Sequence, residues 1–474
     1  MGIIKRRPLR AGALAALSLI IGCAPTLRSH VSNVGSLAQV KELPMLREGK
    51  INASTKSDVR ALLEEPLDAD QAVRIALLNN RELRAQLREL GIVAGQVTQA
   101  GLVANPEFEI ELLPERDSDL ELRVEYDITS LIMAPLRRQA QQYDMEAARF
   151  DAAGAVVQLG YDVRTRFYAL QAATQRLALA QQSLDALAAA RDSAVALLEA
   201  GNVAPLHASS QIAAFERTRI SVAQLELEVA DRREELQRLL GLHGEDTAWA
   251  VKAPLAEAPA QLEVENDLEQ RALEASLTLR ASKKRLEGLA RRTGIVRTEA
   301  WLPEVAVDVH TLRVKQEDGR SDEGWRWGGG VSVQVPLFDR GQGRLRGTEA
   351  QFDALLERYQ GSAIMLRSAA RESRNRLVST HARARQYQDV ILPAQGNVME
   401  QTLLQYNAMQ VGVFQLLQAR REQLDVQLAY VDTLREYWSA LAEMQALTQG
   451  RVVRSAPAGE QTALSASAGE QGGH

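Results

Sequence analysis

Two rhythms of apolar and polar positions divide this chain. The first has period two. Glu107-Phe108-Glu109-Ile110-Glu111-Leu112 alternates polar and apolar side chains, and Leu120 to Ile128 does so without a fault. Further on, Val305, Val307 and Val309 alternate with Ala306, Asp308 and His310, and Trp325, Trp327, Val331, Val333 and Val335 alternate with Arg326, Gly328, Ser332 and Gln334. Alternation of this kind predicts strands, here over about 106–113, 120–128, 304–312 and 325–335. It fits a half-buried soluble sheet or a tilted membrane strand with one face to lipid and one to water.

The second rhythm has period seven. Val156, Val163, Leu170, Leu177 and Leu184 keep heptad spacing, as do Phe215, Val222, Val229 and Leu236, and later Leu417, Leu424, Val431 and Trp438. Heptads predict long helices packed along a left-handed seam. From Leu136 to Ala200 there is no proline, and Gly154 and Gly160 are the only glycines. At 1.5 Å per residue that stretch makes about 98 Å of helix, two or three times the width of a compact domain. The expected helices run over 136–200, 206–240, 340–392 and 394–449, with Pro393 kinking or breaking the last pair.

The pattern is written twice. Ala76 to Ala85 returns as Ala272 to Ala281, and each copy passes through helix, a proline (Pro106, Pro303), two strands, a second proline (Pro135, Pro336) and paired long helices. This predicts a first repeat over 67–241, a connector over 242–261 and a second repeat over 262–450. Residues 23–66 read as an extended surface segment and 451–474 as a disordered tail.

Composition narrows the picture. The 474 residues are 46% apolar and 25% charged, which excludes disorder throughout, and 4% aromatic, which argues against a chain dominated by sheets. A net charge of -5 with both signs interspersed gives no surface for nucleic acid. The single cysteine, Cys23, excludes an internal disulfide. It follows Lys5, Arg6, Arg7 and Arg10 and the apolar run Ala11 to Ile21, which at about 17 Å is too short to cross a ~30 Å bilayer core and reads as an export signal over 1–22. Ile20-Ile21-Gly22-Cys23 resembles the lipobox of bacterial lipoproteins, which implies a lipidated Cys23 carrying acyl chains such as palmitate. Pro25, where such proteins place an aspartate for inner-membrane retention, implies sorting to the outer membrane. No later run of about 18 apolar residues follows, so a membrane-spanning form must be a barrel.

Glu107, Glu109, Glu111, Glu121, Arg123, Glu125 and Asp127 make the polar strand face wholly ionisable, which suits a water-filled lumen. Trp325 and Trp327 open a strand on its apolar face, as an aromatic girdle does. Four strands cannot close a barrel and lipid tolerates no open edge, so a spanning form must oligomerise. Two copies give eight strands with a filled interior, and an open pore needs at least three.

The duplicated helix-strand-strand-helix unit, Gly101-Leu102 through Asn105-Pro106-Glu107, Val335-Pro336-Leu337-Phe338-Asp339-Arg340-Gly341 and the turn Gly201-Asn202-Val203 resemble the TolC-like outer-membrane efflux proteins over about 67–450. Their order and duplication carry the likeness, and the stretch around Pro106 is most similar to the heavy-metal resistance (CzcC-like) branch. The resemblance implies a mainly α fold with a small membrane β-barrel: a homotrimer with a 12-stranded barrel in the outer membrane and a helical coiled-coil tunnel through the periplasm. It implies a channel that passes substrate from an inner-membrane pump, of the RND type, through a periplasmic adaptor. The adaptor would dock at a tip formed by Gly201, Asn202, Val203, Met409, Val411 and Gly412. Some members ring the tip with gate aspartates; here the matching positions are Gln415 and Gln418, with His207 in the first repeat, and Met409 replaces the turn glycine. A gate held by amide hydrogen bonds is therefore expected.

No catalytic centre or cofactor site is expected. The six histidines (30, 207, 243, 310, 381, 474) are scattered without metal-ligand spacing. Gly341 to Gly347 superficially resembles a dinucleotide loop, but the strand before it is polar on alternate positions, unlike a buried parallel strand. The competing expectation is a non-conducting, lipid-anchored periplasmic coiled-coil scaffold with its strands in a soluble cap.

Overall fold

A computed structural model describes residues 27–40, 43, 53–113, 119–252, 254–262, 267–314 and 324–453. The export signal, Cys23 and the tail beyond 453 lie outside the described residues.

The elements follow in the order α1 (Leu27–Leu37), α2 (Ala53–Leu63), α3 (Ala69–Asn79), α4 (Arg81–Ala100), β1 (Glu107–Leu113), β2 (Asp119–Asp127), α5 (Ile128–Glu199) and α6 (Pro205–Leu240). The second repeat supplies α7 (Leu268–Ala275), α8 (Leu277–Glu299), β3 (Glu304–Val314), β4 (Gly324–Gln334), α9 (Gln342–Gln386), a π turn (Tyr387–Ile391), α10 (Leu392–Asn407) and α11 (Val413–Thr448). The four strands form one antiparallel sheet in the order β1-β2-β3-β4. This is a mainly helical chain with one small sheet, and its helices are very long: the 72 residues of α5 extend about 108 Å.

The heptad positions explain the packing. Val156, Val163 and Leu170 are buried on α5, and they join Leu236 and Leu240 of α6 and Ile75, Leu83 and Leu87 of α3 and α4 in one core. The second repeat builds its counterpart from Leu268, Leu279, Leu366, Leu377, Val431 and Tyr437. Ion pairs join the repeats along α5 and α8: Arg292 with Asp144, Arg285 with Asp151, and Lys284 with Glu146 at 3.0 Å. Within the second core, burial raises the Glu443 carboxyl above its ordinary range, partly offset by Arg376 at 2.8 Å.

The duplication extends to single backbone contacts. Helix α6 ends on the left-handed Gly241 (φ 68°), packed on the Asn79 carbonyl, and α11 ends on the left-handed Gly450 (φ 93°), packed on the Ala275 carbonyl. Asn79 Nδ2 donates to the Gly241 carbonyl at 2.8 Å, and the Leu277 amide donates to that of Gly450 at 2.9 Å. Asn80 and Ser276 then cap the next helix of each repeat. The connector is folded against this waist: Leu67 bridges to Val251, Trp438 Nε1 donates to the Ala256 carbonyl, and Leu255 and Ala258 are buried.

Four expectations need correction. Residues 23–66 are not simply extended, because α1 and α2 lie within them. The short polar stretch of α1 hides its period: Val31, Val34 and His30 are buried, and the Arg149 guanidinium of α5 donates to His30 Nδ1 at 2.8 Å. The first long helix begins at Ile128, not 136. Asp127 caps it by accepting from the Ser130 amide at 3.0 Å, and Pro135 is carried inside the helix at the cost of one backbone bond. Pro393 does not break the descending helix either. One π turn precedes it, with the Leu392 amide reaching the Tyr387 carbonyl, so the register shifts and the helix continues to Asn407. The interruption comes instead at 408–412. The tail also begins in packed structure, since Val453 is buried.

Candidate functional site

The sheet register decides which side chains share a face. Phe108 pairs with Val124, Val124 with Val309, Val307 with Val331 and Val305 with Val333. The resulting apolar face crosses all four strands and is open to its surroundings: Phe108, Ile110, Leu112, Val309, Val331 and Val333 are each more than half exposed. A soluble single layer would cover such a face, because exposed contiguous apolar surface of this size marks an interaction site. No helix is long and apolar enough to cross a membrane among the described residues.

The opposite face is charged. Arg123 lies between Glu121 at 2.9 Å and Glu109 at 3.6 Å, and on the neighbouring strand His310 Nδ1 meets Asp308 Oδ2 at 2.8 Å. Gly328 and Gly330 stand opposite His310 and Asp308, and a Cβ at either glycine would collide with those side chains. The glycines of β4 thus give the pair room to lie across the sheet. Among the described residues, strands β1 and β4 each keep an unpaired edge.

Trp325 and Trp327 lie exposed on the apolar face near the start of β4. Sequence reading missed a second aromatic group at the other end: Trp301 before β3 and Phe338 after β4, 76% and 92% exposed. The signal was available, since both lie by strand ends, each two residues from a proline.

At the far end of the long helices the two turns share one geometry. Gly201 has φ 73° and Met409 φ 58°; their amides bond to Leu198 and Tyr406, and the following amides of Asn202 and Gln410 reach back to Leu197 and Gln405. Met409 therefore occupies the left-handed position that glycine holds in the first repeat, 94% exposed. Because a side chain in this conformation costs roughly 1–2 kcal/mol, Met409→Gly is expected to stabilise the turn by about 1 kcal/mol, read as slower proteolytic nicking at the tip. Faster nicking would show that the Met409 side chain itself holds the turn.

The residues expected at a gate sit beside these turns. Gln415 Oε1 accepts from the Gly412 amide at 2.9 Å and so caps α11, while Gln418 Nε2 donates to Glu422 at 2.8 Å; each of these bonds is local to the start of α11. His207 stacks on Phe414 with ring centroids 4.7 Å apart, joining the first turn of α6 to that of α11. Around this pair, Leu197, Val203, Tyr406 and Leu417 line a groove of about 420 Å³. Asn202 and Gly412 are exposed, Val203 and Val411 half-buried. The His207–Phe414 contact was not legible, because nothing local in either segment records the other. Among the described residues no group of three or more His, Cys, Asp or Glu side chains is placed to hold a metal ion.

Residues 268–450 match the family described as outer membrane efflux protein. The chain is 24% identical to the cobalt-zinc-cadmium resistance protein CzcC of Cupriavidus metallidurans over 383 residues, covering 79% of this chain and 88% of that protein. Its fold is similar to that of CusC, solved in a study of transmembrane channel formation (TM-score 0.67, 16% identity, 80% of this chain and 91% of that one). It is also similar to the Campylobacter jejuni CmeC outer membrane channel (TM-score 0.65, 15% identity, 89% and 93%).

Proposed function

We propose that this chain, which carries the outer membrane efflux protein domain across residues 268–450, is the outer-membrane channel of a tripartite efflux system. The observation that carries the reading is the sheet: one face apolar and exposed, the other charged, both edges open. Three copies supply twelve strands, pair β4 of one subunit with β1 of the next and close a barrel with lipid outside and water inside. Trp325 and Trp327 anchor one interface of that barrel. Acyl chains on Cys23 tether the same particle, and the helices of three subunits continue the lumen into the periplasm.

The tip, with Gly201, Asn202, Val203, Met409, Val411 and Gly412, receives the adaptor of an inner-membrane pump of the RND type, and the groove around His207 and Phe414 offers an apolar seat there. Gln415 and Gln418 narrow the tunnel, their amides exchanging the bonds described above for bonds between subunits. The likeness to a cobalt-zinc-cadmium resistance protein supports heavy-metal cations as cargo. No chemistry is required of the chain, since the pump supplies the driving energy.

Purified protein in planar bilayers is expected to conduct and to migrate as a heat-modifiable trimer. A scaffold would show neither behaviour, and that result would reject the channel. In the same bilayers Gln415→Ala with Gln418→Ala is expected to raise the closed-state conductance several-fold. Unchanged conductance would remove the two amides from the gate.

A further inference from the structure

We propose that arginines at the junction of sheet and helices bind the anionic headgroups of phospholipids in the membrane leaflet facing the periplasm. The inference rests on the channel reading above, which puts the apolar sheet face in lipid. That face does not stop where the strands stop. Beyond β4, Val335, Leu337 and Phe338 are 57%, 65% and 92% exposed, and before β3 Trp301 is 76% exposed, so apolar surface continues to the level where headgroups begin.

Charge appears at this level. The Arg340 guanidinium stands over the Trp301 ring, 5.8 Å from its centroid. Of the acids nearby, Glu299 takes both Arg137 at 3.0 Å and Arg344 at 3.7 Å and Glu349 takes Arg297 at 3.1 Å, while Asp339 accepts from the Gly341 amide at 2.8 Å. Arg340, and Arg346 one turn into α9, are exposed and enter no ion pair among the described residues. The belt therefore carries two guanidinium groups with no carboxylate partner among the described residues. A zwitterionic headgroup brings its own ammonium to each phosphate, whereas an anionic one brings an uncompensated phosphate that a guanidinium fork fits. An aromatic ring at headgroup depth with a guanidinium over it holds that fork at the right level.

The test uses the full-length trimer in nanodiscs of phosphatidylethanolamine and phosphatidylglycerol, with retained lipids counted by native mass spectrometry. At about fivefold per arginine, the wild type should enrich phosphatidylglycerol about 25-fold over the bulk ratio. Arg340→Gln with Arg346→Gln should return it to the bulk ratio. Arg326→Gln, on the charged sheet face, should leave the enrichment intact, and millimolar glycerol phosphate should not compete. Absence of enrichment, equal enrichment in the double variant, or displacement by soluble glycerol phosphate would overturn the proposal. Conductance is read on the same preparation: a conducting trimer without enrichment rejects the lipid site alone, and a non-conducting one rejects the channel reading on which it rests.

Discussion

Val309→Arg is expected to abolish assembly of the barrel. Val309 lies at the middle of β3, is 54% exposed, and pairs with Val124 on one side and Gly329 on the other. Arginine on the lipid face near the bilayer midplane costs about 2–4 kcal/mol, and a homotrimer carries three copies, so the penalty reaches about 6–12 kcal/mol. That rivals the whole stability of a typical domain. The measurement is the heat-modifiable trimer in outer-membrane fractions, which should disappear. Ser332→Arg supplies the control: it sits between Val331 and Val333 but points to the charged face, so the same side chain should be tolerated. If Val309→Arg assembled like the wild type, or if both variants failed equally, the apolar face would not be the lipid face.

The second large effect is expected at the waist. Gly450→Ala places a methyl group on a residue with φ 93°, against the carbonyl of Ala275. The left-handed conformation alone costs about 1–2 kcal/mol. The methyl also overlaps a backbone carbonyl that cannot swing away, because the same joint holds the bond from the Leu277 amide to the Gly450 carbonyl. Overpacking of this kind adds typically 1–3 kcal/mol, for a total of about 2–5 kcal/mol. Gly241→Ala should behave alike, since its Cβ would meet the Asn79 carbonyl. Gly244 has φ 64° and open space around it, so Gly244→Ala should cost only the conformational part. Thermal unfolding of the three variants separates the terms. Equal losses at 450 and 244 would mean that the contact with Ala275 contributes nothing.

The contrast between these glycines shows where sequence reading reaches its limit. Their residue type and their position after a heptad run mark a helix end. Nothing near them in sequence says that two press on a backbone more than 160 residues away while the third faces open space. The same limit applies at the tip. Gly201 and Met409 could be matched by their place in the duplication, whereas the stacking of His207 on Phe414 depends on how two hairpins fold back beside each other.

The sequence by itself determined the rhythms: period two for the strands, period seven for the long helices, and the repetition of both. Each is a local record of which face a segment hides, so it survives without knowledge of the partner. Only the tertiary structure decided that Asp127 starts α5 ahead of Pro135, that a π turn carries the helix through Pro393, and that α1 folds onto α5. It alone brought Arg340 over Trp301. Those outcomes turn on a cap, a register shift or a contact between distant segments, where a few kcal/mol of packing or hydrogen bonding outweighs what any one residue prefers alone.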